Sequence, residues 1–199
     1  MVSLQAMARP NPPRWRRTAR ALLLGAAALQ ISLAGSSALA TTAPSEVAQA
    51  LPQAEMVGTG RMRYLFWDVF DAALWVSPGF AASQYIEHPF ALELRYLRKL
   101  SGAALVASSL QELRRARGLD PAKEMAWSAA MRSAFPDVEP GDRITGEHRP
   151  GVGARFYFNG RLCAVVDDAD FSRAFFGIWL SPDTSEPRLR NALLQGGPS

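Results

Sequence analysis

The 199-residue chain has one cysteine, two histidines and no acidic residue among its first 40 positions. Each shortage excludes a class of chemistry. Cys163 stands alone, so no disulfide forms within one chain. In an apolar strand it reads as a small buried hydrophobe rather than a reactive thiol. His88 and His148 are far apart and fall in loop-like stretches. No His, Cys and carboxylate spacing suits a transition metal, and no metal or cofactor is expected. A nucleophile elbow, a Ser-x-x-Lys pair and a phosphate loop are all missing. Gly58-Thr-Gly60 is a lone Gly-x-Gly before a strand-like run with no helix after it, which excludes dinucleotide binding.

The acid-free beginning has its own pattern. Arg9, Arg14, Arg16, Arg17 and Arg20 precede a short apolar run, Ala21 to Leu33, and then the small-residue site Ala38-Leu39-Ala40. That is the order of a secretory signal peptide, cleaved after Ala40. The run is Ala-rich and broken by Gln30 and Ser32, so it makes a weak membrane anchor. Arg16-Arg17 follows Trp15 and lacks the residues of a twin-arginine signal. The expectation is a periplasmic or secreted protein with no integral membrane segment after cleavage.

Without the leader, 159 residues carry 17 basic and 18 acidic side chains. The high overall pI comes from the leader. No basic footprint for nucleic acid remains, nor a Lys/Arg-rich membrane face. The expected organisation is a leader over 1–40, a lead-in over 41–56 holding an ill-defined amphipathic stretch at Ser45 to Ala54, and one domain over 57–199.

Strand patterns run from Met56 to Trp67 and from Val69 to Val76. Phe90 to Leu97 alternates, with Phe90, Leu92, Leu94 and Tyr96 on one side and Glu93 and Arg95 on a solvated side. Ser101 caps a helix carrying Val106, Leu110 and Leu113, which ends in Arg114, Arg115 and Arg117 and stops at Gly118. Asp120-Pro121 opens a second helix with Trp127, Met131 and Phe135 on one face. Gly141 to Arg149 reads as a strand. Ala154 to Val166 reads as a hairpin around Asn159-Gly160, pairing Phe158 with Arg161, Tyr157 with Leu162, and Phe156 with Cys163. Asp168 or Asp170 opens a helix with Phe171, Ala174, Phe175 and Ile178 at helical spacing. Ser185 caps a last helix, with Leu189 and Leu193 inward and Gly196-Gly197 as terminator. Antiparallel strands with segregated helices define an α+β fold.

This order of elements, with Gly58-Thr-Gly60, Val69 to Trp75, Leu94 to Arg98, Gly141-Asp142, the Asn159-Gly160 hairpin and Phe176 to Ser181, resembles the chalcone isomerase-like family, and more narrowly its exported bacterial branch. The resemblance implies an open-faced β-sandwich, a large antiparallel sheet with helices packed on one face and a cleft between them. The plant isomerases of this family close a flavanone ring. They hold substrate with an arginine, a threonine, a tyrosine and an asparagine. Here Met62 occupies the arginine column and Phe70 the threonine column, and Lys123 and Ala130 lie near the other two positions. The resemblance therefore carries the fold further than the catalysis.

What remains is an arginine set. Arg61 and Arg63 are two apart in a strand and share a face. Arg98 lies just past a neighbouring strand, beside Tyr96. If that face lines the cleft, a guanidinium grips a carboxylate while an apolar tail runs among Phe70, Trp75, Phe175 and Trp179. Alternatively the arginines lie on a solvated face and the aromatics are core. Asp68 and Asp71 are expected on opposite faces, one of them pairing with an arginine across strands. The expected ligand-binding set is Arg61, Arg63, Tyr96, Arg98 and Phe70, with no catalytic residue assigned. The expected role is a non-catalytic binder of a small amphipathic carboxylate such as a fatty acid. An isomerase or lyase with substituted residues, and an envelope interaction protein with a filled cleft, are the alternatives.

Overall fold

A computed structural model describes residues 42–117 and 119–195. The leader, its cleavage point, the Gly118 stop and the Gly196-Gly197 terminator lie outside the described residues. A helix α1 (Ser45–Ala50) precedes strands β1 (Glu55–Tyr64), β2 (Trp67–Val76) and β3 (Phe90–Tyr96). Helices α2 (Gly102–Arg117) and α3 (Pro121–Ala134) follow, then β4 (Arg143–Arg149), β5 (Gly153–Phe158), β6 (Arg161–Val166), α4 (Ala169–Leu180) and α5 (Pro187–Leu194). The six strands form one antiparallel sheet in chain order. Two short 3₁₀ turns over Ala82–Glu87 join β2 to β3, a feature with no sequence expectation behind it.

Helix starts follow from their caps. Asp120 accepts from the backbone N–H groups of Ala122 (2.9 Å) and Lys123 (3.2 Å), with Pro121 at the first helical position. Asp168, not Asp170, caps α4 by accepting from Phe171 N–H at 2.9 Å. Ser101 Oγ accepts from Ala104 N–H at 3.2 Å. At α5 the cap position is Glu186, without a side-chain bond, and the expected cap Ser185 instead donates to Glu112.

Strand alternation sends Phe70, Ala72, Leu74, Leu92, Leu94, Tyr96 and Phe156 to one face, where α2 to α5 cover them. Phe156 carries the sheet's side of an aromatic cluster in this layer. It meets Phe135 (5.4 Å, 88°), Phe175 (5.2 Å, 89°) and Phe171 (6.2 Å, 72°) edge to face. Each such buried ring stabilises by roughly 1.5–3 kcal/mol through burial alone.

The opposite face is not left to solvent where β3 crosses it. Val47 of α1 and Leu51 just after it bury Trp75 and Ala91 there, so Ala91 and Glu93 are buried as well. Trp75 Nε1 donates to Glu93 Oε2 at 3.2 Å. Trp75 thus lies across the sheet from Phe175 and Trp179, away from the core it was expected to share. Glu46, 2 % exposed, accepts from Arg143 Nη2 (2.7 Å), Arg143 Nε (3.1 Å) and Thr145 Oγ1 (3.0 Å). Burial pushes the Glu46 carboxyl up, but hydrogen bonds from its own backbone, Arg143 and Thr145 outweigh this and hold it below the usual carboxylate range.

Three further expectations change. Tyr157 pairs with Leu162 and Phe158 with Arg161, but Phe156 pairs with Ala164, because Cys163 is an extra residue in a bulge. Cys163 is accordingly exposed rather than buried. His148 lies within β4, buried against Phe90 (ring centroids 4.8 Å) and Phe176 (5.6 Å), not in a loop. Among the described residues no helix is long and apolar enough to cross a membrane.

Candidate functional site

The arginines gather where β1 turns into β2. Tyr64 and Trp67 are cross-strand partners, so Leu65 and Phe66 alone make the turn. Leu65 has φ +54°, and it is the only central residue of the turn with positive φ. That is the II′ pattern, which favours glycine at this position. All four residues from Tyr64 to Trp67 are exposed.

Just behind the tip, Val69 is an extra residue in β2: Met62 faces Phe70, but Arg63 faces Asp68. The bulge rotates Asp68 onto the face that carries Asp71. This corrects the expectation that the two aspartates diverge. Arg61 binds both, Asp71 through Nε (2.5 Å) and Nη2 (2.9 Å) and Asp68 through Nη1 (2.9 Å). Arg63 Nε binds the other Asp68 oxygen at 2.7 Å. Hydrogen bonding from Arg63, then Arg61, holds the Asp68 carboxyl below its ordinary range despite desolvation. The same contacts raise Arg61, from Asp71 first.

Arg98 approaches from the end of β3 and lies over the Trp67 ring, 4.1 Å from its centroid. It has no hydrogen bond or carboxylate partner among the described residues. Lys99 pairs with Glu139 at 2.6 Å, which raises the lysine's pKa. Together Arg61, Arg63, Leu65, Phe66, Trp67, Asp68, Leu97, Arg98 and Lys99 line an open recess of about 910 Å³.

The structure brings Arg61, Arg63 and Arg98 to this recess. It does not bring Phe70 and Tyr96, which face the helices, buried, in an edge-to-face pair at 6.0 Å. Burial alone holds the Tyr96 phenol protonated well above its ordinary range. Met62 pairs with Phe70 and packs against the core. Lys123 pairs with Asp170 at 2.8 Å on the surface, and its pKa is raised by that contact. Leu65, Phe66, Trp67 and Lys99 were missing from the sequence-derived set. The strand expected from Met56 to Trp67 ran through Leu65 and Phe66, because neither is a usual turn residue, and the structure breaks it there.

A six-stranded antiparallel sheet with four helices on its inner face defines an α+β open-faced sandwich. The family model described as chalcone isomerase-like matches residues 41–195, and the chain belongs to that family. An uncharacterized protein of Haemophilus influenzae is 29 % identical over 108 residues, covering 54 % of this chain. The match spans 52 % of that relative, about half its length. Among solved structures, the Arabidopsis thaliana fatty-acid binding protein AtFAP1 superposes with a TM-score of 0.56 at 13 % identity, covering 72 % of this chain and 87 % of the other. That likeness is one of fold.

Proposed function

We propose that the chain is a non-catalytic binder of a small amphipathic carboxylate, held in the recess beside the β1–β2 hairpin. The observation that carries this is the meeting there of guanidinium groups with exposed apolar side chains, Leu65, Phe66 and Trp67. Arg61 spends its donors on Asp71 and Asp68. The headgroup therefore falls to Arg98, whose donors have no partner among the described residues, and to the Nη groups of Arg63. The tail lies along Leu65 and Phe66. The Arabidopsis neighbour is a fatty-acid binding protein by its name, a precedent for this ligand class on the fold. Export to the periplasm or exterior, cleavage after Ala40 and membership of an exported bacterial branch belong to the same proposal. They rest on the order of the leader.

The test is calorimetric titration with laurate in vesicle-free buffer. Wild type is expected to bind, with Arg98→Ala at least ten-fold weaker. Absence of binding, or an unchanged Arg98→Ala, defeats the assignment. The close ring packing of Phe135, Phe156, Phe171 and Phe175 between sheet and helices favours a second reading, an interaction protein with a filled cleft. That reading predicts no laurate binding at all.

A further inference from the structure

The β1–β2 hairpin ends in Tyr64-Leu65-Phe66-Trp67, exposed by 66, 77, 97 and 59 % respectively. No other stretch of the described residues exposes four consecutive large apolar or aromatic side chains. Adjacent exposed apolar groups of this kind mark interaction sites rather than chance. The turn also works against its own backbone, since Leu65 occupies a left-handed conformation that glycine adopts freely. A turn serving only to reverse the chain gains nothing from that choice.

The side chains are layered along the hairpin axis. Leu65 and Phe66, wholly apolar, are outermost. The cross-strand pair Tyr64 and Trp67, each an apolar ring with a polar handle, comes next. Arg63 with Asp68 and then Arg61 with Asp71 lie one and three residues further back, within about 3–10 Å along a strand. Arg98 and Lys99 flank them from β3. Hydrocarbon, amphipathic aromatic, cation is the order met on passing outward from a bilayer core to its headgroups. Asp68, Asp71 and Glu139 offset three of the four cations, and Arg98 is left without a carboxylate partner among the described residues. Its charge suits an anionic headgroup.

We infer that the β1–β2 tip is a docking finger that inserts Leu65 and Phe66 into an anionic lipid surface, with Arg98 at headgroup level. A protruding tip suits a fluid lipid surface, which closes around whatever enters it. The assignment goes beyond a soluble ligand in the recess and does not depend on one.

The test uses vesicles of phosphatidylcholine with and without 30 % phosphatidylglycerol, and the protein as isolated from an exporting host. The double variant Leu65→Gly, Phe66→Ser supplies the Gly-X pair that a II′ turn favours, so it keeps the hairpin and removes the apolar tip. Wild type is expected to float with phosphatidylglycerol vesicles, with Trp67 quenched by lipids brominated on their acyl chains. The double variant is expected to bind at least ten-fold more weakly. Trp67→Phe is expected to lose the quenched component, which separates the tip from any contribution of residues 1–40. Rising salt is expected to weaken binding only slightly, because one cation is uncompensated. Flotation of the double variant equal to wild type, or no quenching of Trp67, overturns the inference. Self-association of wild type without vesicle binding assigns the tip to a second copy and overturns it too. Laurate titration without vesicles reads the recess separately, so either assignment can fail alone.

Discussion

The two hairpins at the opposite edges of the sheet are each closed by two residues, and they have solved the turn in opposite ways. At β5–β6 the pair is Asn159-Gly160, with φ of +48° and +84°. Asn159 is tied down on both sides: its Oδ1 accepts from Arg143 N–H at 2.8 Å and its Nδ2 donates to Asp142 at 2.9 Å. Gly160 sits against Glu46 and Arg143. At β1–β2 the pair is Leu65-Phe66, strained at Leu65 and touching solvent on nearly every side. One turn is chosen for the fold. The other keeps a backbone strain of about 1 kcal/mol and presents what folding alone would hide.

Several measurements would break or sharpen that contrast. The largest effect is expected at the anchored end. Glu46→Ala strands a mostly buried Arg143 and the Thr145 hydroxyl, and denaturant unfolding should show a loss of about 3 kcal/mol. Acid should weaken the same half of the sheet. His148 is held below its ordinary pKa by burial, with Arg173 adding to this and Ile86 carbonyl and Glu87 opposing it. Its Nε2–H donates to Ile86 carbonyl at 2.8 Å and Nδ1 accepts from Ser172 at 2.7 Å, the bonds of a neutral ring. The unfolded state binds the extra proton. The stability from a neutral His148 is therefore whole above pH about 6.5 and drains away as pH falls toward the depressed value, by at most about 1.4 kcal/mol per pH unit. His148→Gln should flatten that slope between pH 5 and 7. Asn159→Ala should cost about 1 kcal/mol through the two lost bonds. The double change Leu65→Gly, Phe66→Ser should instead stabilise by about 1 kcal/mol, the opposite sign at the matching position. Arg61→Ala should leave the unfolding midpoint within error, since its ion pairs are solvent-screened.

Much of the fold was legible because local chemistry announced it. Asp120-Pro121, Asp168 and Asn159-Gly160 each carry their own hydrogen-bonding logic, and the structure places a cap or a turn at all three. What escaped depends on single extra residues and distant partners. Alternation fixes faces only while the ladder is unbroken. Val69 and Cys163 each insert one residue, which put Asp68 beside Asp71 and turned Cys163 outward. The partially covered outer face escaped because α1 reaches it from 97 positions away through Glu46 and Arg143. At the candidate site, the arginines were visible as a cluster. Their neutralisation by Asp68 and Asp71, and the aromatic tip in front of them, needed the register to be known.

The packing of Gly58 has a kinetic corollary. Its missing side chain admits the backbone carbonyls of Ala192 and Leu193, close enough that a Cβ would overlap both. The first strand is therefore seated by the last helix. Synthesis delivers that helix after every other described element. Until then β1 has no lid, and contacts so remote along the polymer assemble slowly. A nascent molecule built this way stays pliable until α5 is made.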